Sequence, residues 1–460
     1  MLQVLLNRYD FDMPLPRAVQ APRASQRNTT TTAEQAFIDR WGRVLKRRYG
    51  QELALSGEAG TSDADLLDPV MPRYGEASLA DLLPSCLAAL GVPGEPDALG
   101  LAEGPLADVR RVAVLLVDGL GWHQLATAAL YAPTLADLAA GRLGAASAVT
   151  CGLPSTTPTS LATIGVGAPP GAHGILGFNV AVPGTGRVLT HIKWRDDPDP
   201  ARWQPWPTSF ERARAAGVSS VVVSRSAFEG TGLTVAAYRG AAYRGADTID
   251  QLADGMLAAL HGGSPGESSG GARLVYGYHP DIDHTGHVHG VGSPPWLGAA
   301  GELDRLLTLL IDGLPPDAAL VVTADHGQLN VPADARTDLD TDARLRAGVA
   351  LVAGEARMRY LHTVPGARED VMAAWREVLR GRVDVLTRED AIAAGWFGPV
   401  PERHLARIGD VVVACRGRWA VLATATEPDS VATMVGFHGS YTGLEMQVPL
   451  LVAKSVGGRR

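Results

Sequence analysis

Short, unbroken runs of aliphatic residues punctuate this chain, and two of them share a design. Residues 111–119, RVAVLLVDG, are apolar from Val112 to Val117, reach Asp118 and then turn at Gly119. Residues 318–326, AALVVTADH, end the same way, in Asp325 and His326 before Gly327. Runs this short, without polar alternation, predict strands buried on both faces, as in parallel sheets. A carboxylate at the carboxyl end of such a strand, just before a glycine turn, stands where open α/β sheets bind ligands. Two strands that deliver acid and imidazole groups to one sheet edge point to a metal site.

The rest of the pattern builds a frame around these strands. An apolar helix opens at Ser78 and Asp81 and runs over 79–90. Helices follow around Leu125 and over 134–140, then a strand over 145–150. The turn Gly152-Leu153-Pro154-Ser155-Thr156-Thr157 leads into a helix over 158–164, with Pro158 in its first turn, where no N–H is needed. A helix over 208–216, a strand over 218–224, a helix over 247–260 and a flexible glycine/serine loop over 262–271 come next. A strand over 273–278 runs into PDIDHTGHVHG, and a long helix over 298–314 precedes the strand that ends at Asp325. Alternation of this kind predicts an α/β fold with a doubly wound, mostly parallel sheet.

Two stretches differ from that frame. Residues 1–70 form an N-terminal extension: 16–32 are rich in Pro, Ser, Thr and Asn and read as disordered, 33–48 as a helix with a basic end, and 57–68 as a linker. Residues 331–435 read as a smaller α+β insertion, with helices over 369–379 and 389–394 and strands at 383–386 and near Val411 and Val421. The chain then returns to a buried strand over 448–453. The core domain is therefore expected to be discontinuous, 71–330 plus 436–460.

Composition narrows the function. At 460 residues, with 46% hydrophobic and 20% charged residues, the chain fits a globular protein with room for a large core. No apolar run has the length of a membrane span, and the start, MLQVLLNRYDFD, lacks a signal-peptide pattern, so a cytoplasmic location is expected. A net charge of −8 disfavours a general nucleic-acid binder and means that anionic substrates need bound cations to reverse the local field. Three scattered cysteines, Cys86, Cys151 and Cys415, supply neither a disulfide framework nor a thiolate metal site.

Acid and imidazole groups gather in four segments: Asp118; Asp283 and His287 in DHTGH; Asp325 and His326; and His438 before Gly439. Mixed carboxylate and imidazole ligands suit zinc, with manganese or iron as alternatives, and their number suits two metals sharing one substrate. The Thr156-Thr157 turn adds a hydroxyl at a helix N-terminus, where orphan N–H groups await an anion. A metal makes such a hydroxyl a competent nucleophile, an arrangement for phosphoryl transfer.

These segments, in this order, resemble the type I phosphodiesterase/nucleotide pyrophosphatase branch of the alkaline phosphatase superfamily. The resemblance rests on Asp118-Gly119, the Pro154–Thr157 turn, Gly171-Ala172-His173-Gly174-Ile175, Asp283 to His287 with Gly290, Asp325-His326-Gly327, and His438-Gly439. It implies that Asp283, His287 and His438 hold one zinc and that Asp118, Asp325 and His326 hold the other. It also implies Thr157 as a nucleophile that carries a covalent intermediate, a small-molecule phosphate ester or nucleotide as substrate, and an insertion that caps the site. The branch places a phosphoryl-binding asparagine after His-Gly-Ile. Here Phe178 occupies that position and Asn179 follows it. Phosphonoacetate hydrolase-like or phosphomonoesterase activity on the same scaffold is the alternative, and a metal-stabilised binding protein without turnover is a second. Cys151 resembles the modified nucleophile of sulfatases, but the spacing to Pro154 is wrong and the arginine is missing. Among the other histidines, His279, His284 and His289 read as loop or supporting residues and His173 as structural. Trp194, Trp203 and Trp206 read as loop packing.

Overall fold

The computed structural model describes residues 65–262 and 271–454. The expectations for the N-terminal extension up to residue 64, its helix over 33–48 included, and for most of the 262–271 loop fall outside these residues.

The central sheet has seven strands: β1 (Arg111–Val117), β2 (Gly144–Thr150), β3 (Ser219–Ser224), β4 (Ala242–Gly245), β5 (Arg273–His279), β6 (Ala318–Thr323) and β7 (Gln447–Lys454). Their spatial order is β2-β7-β6-β1-β5-β3-β4. The two apolar runs are neighbours: β1 lies between β5 and β6 in parallel register, with Val112 opposite both Leu274 and Ala319. All residues of β5 and β6 are buried, as are Val112 to Val117 of β1. This two-sided burial is why these strands carry no polar alternation. The returning strand β7 runs antiparallel to both β6 and β2. Register and direction at that edge have no signature in the chain's apolar pattern.

Helices flank the sheet in two groups. Leu82–Ala89, Thr157–Val166, Ser209–Ala215 and Gly232–Tyr238 pack among themselves, and Pro133–Ala139, Ile249–His261 and Pro294–Asp312 form the other group, as in a doubly wound fold. Among the described residues no helix is long and apolar enough to cross a membrane.

The segment from 331 to 435 builds a second sheet of four antiparallel strands, in the order Val349–Glu355, Met358–Thr363, Val411–Cys415, Val383–Thr387. The first two of these strands have no counterpart in the sequence expectation. The strand 411–415 shows how this sheet is used. Val411, Val413 and Cys415 belong to the insertion's own core with Trp375 and Val371, while Val412 and Ala414 join the main core. A period of two places successive residues on opposite faces, so one face packs on the insertion's helix and the other joins the main core. A fully buried ion pair ties the two together: Arg357 Nε lies 2.7 Å from Glu445 Oε1, just before β7.

Candidate active site

The carboxyl ends of β1, β5 and β6 meet at one edge of the sheet, and the candidate residues follow directly from them. Asp118 follows β1, and Asp325 and His326 follow β6. β5 leads into the helix Asp281–His289, a stretch with too few apolar residues to show helical periodicity. The helix explains the spacing of Asp283 and His287: residues four apart share a face, and their side chains meet at 3.1 Å. His284 and His289 point to solvent on the same helix.

Thr157 opens the helix Thr157–Val166, with Pro158 in the first turn and Gly167 closing it at φ +69°, a left-handed cap that suits glycine. Its Oγ1 lies 3.2 Å from His326 Nε2 and 3.5 Å from Asp118 Oδ2. Thr156 is the helix-capping residue, and its hydroxyl is buried. His438 arrives from the return segment, and its ring stacks on His326 at 3.7 Å between centroids.

The three histidines are held alike. Nδ1 of His287 meets the Gly436 carbonyl at 2.8 Å, Nδ1 of His326 the Gly327 carbonyl at 3.1 Å, and Nδ1 of His438 the Ser155 carbonyl at 2.9 Å. A carbonyl only accepts, so each Nδ1 donates a proton and each ring turns its Nε2 inward. His287 Nε2 and His438 Nε2 stand 3.2 Å apart. Two facing lone pairs at that distance repel unless a proton or a metal ion lies between them.

The carboxylates follow a matching rule. Asp325 Oδ1 accepts from the Gly119 and His326 N–H groups at 3.0 Å each, and Asp325 Oδ2 is buried without a hydrogen-bond partner, 3.3 Å from His326 Nε2. Asp118 Oδ2 accepts from the Tyr278 hydroxyl, and Asp118 Oδ1 is buried without a hydrogen-bond partner. Asp283 Oδ1 accepts from Gln328 Nε2 at 2.8 Å while Oδ2 faces His287. Each of the six side chains thus has one atom tied to the protein and another turned inward. Bare oxygens and lone pairs in a buried cluster are the donor set a divalent cation requires. Asp283, His287 and His438 offer atoms within 4.8 Å of one another, as do Asp118, Asp283 and His326.

Electrostatics agree with that reading. Burial, and then the charges of Asp325 and Asp283, push the Asp118 carboxyl well above the usual range. Burial opposes a charge on His287, but Asp283 outweighs it and raises the imidazole to about 9. Burial and the neighbouring His326 hold His438 well below its ordinary value. Three acids in one buried cluster are costly unless cations share it.

Other expected residues have different places. Asn179 is half-buried, and its amide donates to the Gly354 carbonyl at 3.2 Å. His173 is pinned between Thr163 Oγ1 at 3.0 Å and the Ile175 N–H at 3.1 Å, joining the Thr157 helix to the following loop. His279 is buried at the end of β5. Trp194 and Trp203 pack edge to face at 6.3 Å, whereas Trp206 is exposed. Three residues near the site escaped sequence reasoning. Tyr278 and Gln328 touch two of the carboxylates, and the only sign of either was its position beside a motif. Glu355, from the insertion, brings a buried carboxyl to 3.7 Å from His438 Nδ1. Burial raises that carboxyl to about 8.

A doubly wound sheet with acids, imidazoles and the hydroxyl of a helix's first residue converging on its carboxyl edge is the architecture of an alkaline phosphatase-like hydrolase acting on phosphoesters. The family model for type I phosphodiesterase/nucleotide pyrophosphatase matches residues 112–441, and the chain belongs to that family. Solved structures with the same fold include murine ectonucleotide pyrophosphatase/phosphodiesterase 5 in complex with AMP, at TM-score 0.61 and 18% identity, over 75% of this chain and 88% of that one. Phosphonoacetate hydrolase from Sinorhizobium meliloti in complex with phosphonoacetate has a TM-score of 0.56 at 21% identity, over 77% of this chain and 92% of that one. No curated protein matches the sequence.

Proposed function

We propose that the protein cleaves phosphate diesters or pyrophosphate bonds, with Thr157 as nucleophile beside a site for two divalent cations. Asp283, His287 and His438 would hold one cation, and Asp118, Asp325 and His326 the other. The observation that carries this reading is the Thr157 hydroxyl at a helix N-terminus, 3.2 Å from His326 Nε2 and 3.5 Å from Asp118 Oδ2. The mixed nitrogen and oxygen donors favour zinc, with manganese or iron as alternatives. When bound, such cations supply positive charge for the phosphoryl oxygens and lower the pKa of a hydroxyl or water at the site.

The residues then divide the work. Thr157 Oγ1 attacks phosphorus in line with the leaving group, its proton passes to solvent, and the expelled oxygen takes a proton from solvent. The bond to the leaving alcohol or phosphate breaks, and the phosphoryl group stays on Thr157 as an ester. Water hydrolyses that ester in a second displacement and restores the hydroxyl. The N–H groups of the first helical turn would face the negative charge on the phosphoryl oxygens. With a net charge of −8 and three acids in the cluster, the metal-free protein repels the substrate, so substrate binding depends on the cations.

A second reading, hydrolysis of a phosphonate such as phosphonoacetate or of a monoester, draws on Asn179. It stands one position later than the branch's phosphoryl-binding asparagine, and one of its two amide N–H groups donates to the Gly354 carbonyl. Hydrolysis of bis-p-nitrophenyl phosphate, p-nitrophenyl phosphate and phosphonoacetate by the zinc-supplied protein separates the readings. A diester preference that Thr157→Ala abolishes supports the first. A monoester or phosphonate preference replaces it with the second.

A further inference from the structure

We propose that Tyr278 and Gln328 are positioning residues that select which oxygen of Asp118 and of Asp283 is presented to the two cations. The inference rests on the two-cation reading above.

An aspartate has two equivalent oxygens and rotates freely between them. In a cluster that also holds Asp325, nothing intrinsic decides which oxygen turns toward the imidazoles. For Asp325 the backbone decides, because the Gly119 and His326 N–H groups both hold Oδ1. The other two acids depend on side chains. The Tyr278 hydroxyl donates to Asp118 Oδ2, leaving the buried Oδ1 bare, 3.6 Å from His326 Nε2. The oxygen that Tyr278 holds is also the one facing the Thr157 hydroxyl. Tyr278 is itself fixed: it pairs with Leu116 across the β1–β5 ladder, is 8% exposed, and carries Phe228 edge-on at 6.1 Å.

Gln328 does the same for Asp283. Its Nε2 reaches Asp283 Oδ1 at 2.8 Å and the Asp283 carbonyl at 3.3 Å. Both are acceptors, so the amide nitrogen, not its oxygen, must face them. Gln328 is 1% exposed, and its backbone carbonyl accepts from Gln124 Nε2. Two glycines make room for it: a Cβ on Gly286 would fall 1.7 Å from Gln328 Oε1, and one on Gly436 would fall 2.8 Å from it. Partners of metal-binding groups typically change metal affinity about 10–100-fold when removed.

The test is a zinc titration of the full chain against a chromophoric chelator, using wild type, Tyr278→Phe, Gln328→Met and the double variant. Both substitutions keep the shape and remove the donor. The wild type is expected to bind two zinc ions. Each single variant should weaken one ion about 10–100-fold and leave the other within about threefold, and the double variant should weaken both. Melting of the chelator-treated proteins should stay within about a degree of wild type. Unchanged affinities in both single variants would overturn the positioning role. So would equal weakening of both ions with a lowered melting temperature of the zinc-free protein, the result of a merely structural role. A wild type that binds fewer than two zinc ions would instead overturn the two-cation reading beneath the proposal.

Discussion

Gly119 and Asp283 meet across the β1–β5 edge so closely that no side chain fits between them. A Cβ on Gly119 would lie 2.8 Å from both Cα and Cβ of Asp283, and Gly119 also adopts φ +74°. The glycine after Asp118 is therefore the surface on which a residue from another segment is seated. This places Asp118 and Asp283 beside each other at the edge of the sheet.

Gly119→Ala is expected to destabilise the protein by about 1–3 kcal/mol, from backbone strain and overpacking together, and to lower zinc content. Gly184→Ala is the control, because Gly184 has the same φ of +74° with nothing near its Cβ position. It should cost only the backbone part and leave zinc content unchanged. Denaturant melts with metal analysis check both. Equal effects at the two positions would remove the contact argument.

Zinc binding should release protons and strengthen as pH rises toward about 9, the value to which Asp283 raises His287. In the metal-free protein the His287–Asp283 pair stabilises the fold fully below the ordinary histidine pKa. That stabilisation is lost as pH rises through about 9. Zinc competes with the same proton, so its affinity should fall about tenfold per pH unit on acidification between 9 and 7. Calorimetry in buffers of different ionisation enthalpy would show the released proton. Proton-independent affinity over that range would contradict the assignment of His287.

Arg357→Ala is expected to cost about 3–5 kcal/mol, because it removes the paired opposite charge from the fully buried Glu445 and leaves it the Ser440 and Thr442 donors. Replacing both, as Arg357→Met with Glu445→Gln, should recover much of that loss. Chemical denaturation of the three variants measures the coupling. A neutral Arg357→Ala would show that the pair does not hold the insertion to the core.

Much of this site was legible because its groups are tied to strands whose burial writes itself into the sequence. β1 is wholly apolar from Val112 to Val117 and β6 from Ala318 to Val322, each running up to the carboxylate beyond it, so Asp118, Asp325 and His326 were readable from pattern alone. The helix Asp281–His289 was not, since its residues serve the site and not the core. Only Ile282 and Gly286 are buried in it. The strand 349–355, VALVAGE, was missed because its alanines and glycine lack the β-branched signature, yet it delivers Glu355. Tyr278 and Gln328 were invisible for another reason. A residue that acts on a ligand, and not as one, has no required spacing, and only the fold brings it to its carboxylate.

The central claim is that Thr157 carries the phosphoryl group. The most direct test is rapid acid quench of the zinc-loaded protein during turnover of bis-p-nitrophenyl phosphate, followed by peptide mass mapping. The account predicts a phosphoryl ester on the peptide containing Thr157, formed with a burst of nitrophenol and absent in Thr157→Ala, whose turnover falls at least about 10³-fold. Steady turnover by Thr157→Ala at the wild-type rate, with no adduct at Thr157 in either protein, would contradict it.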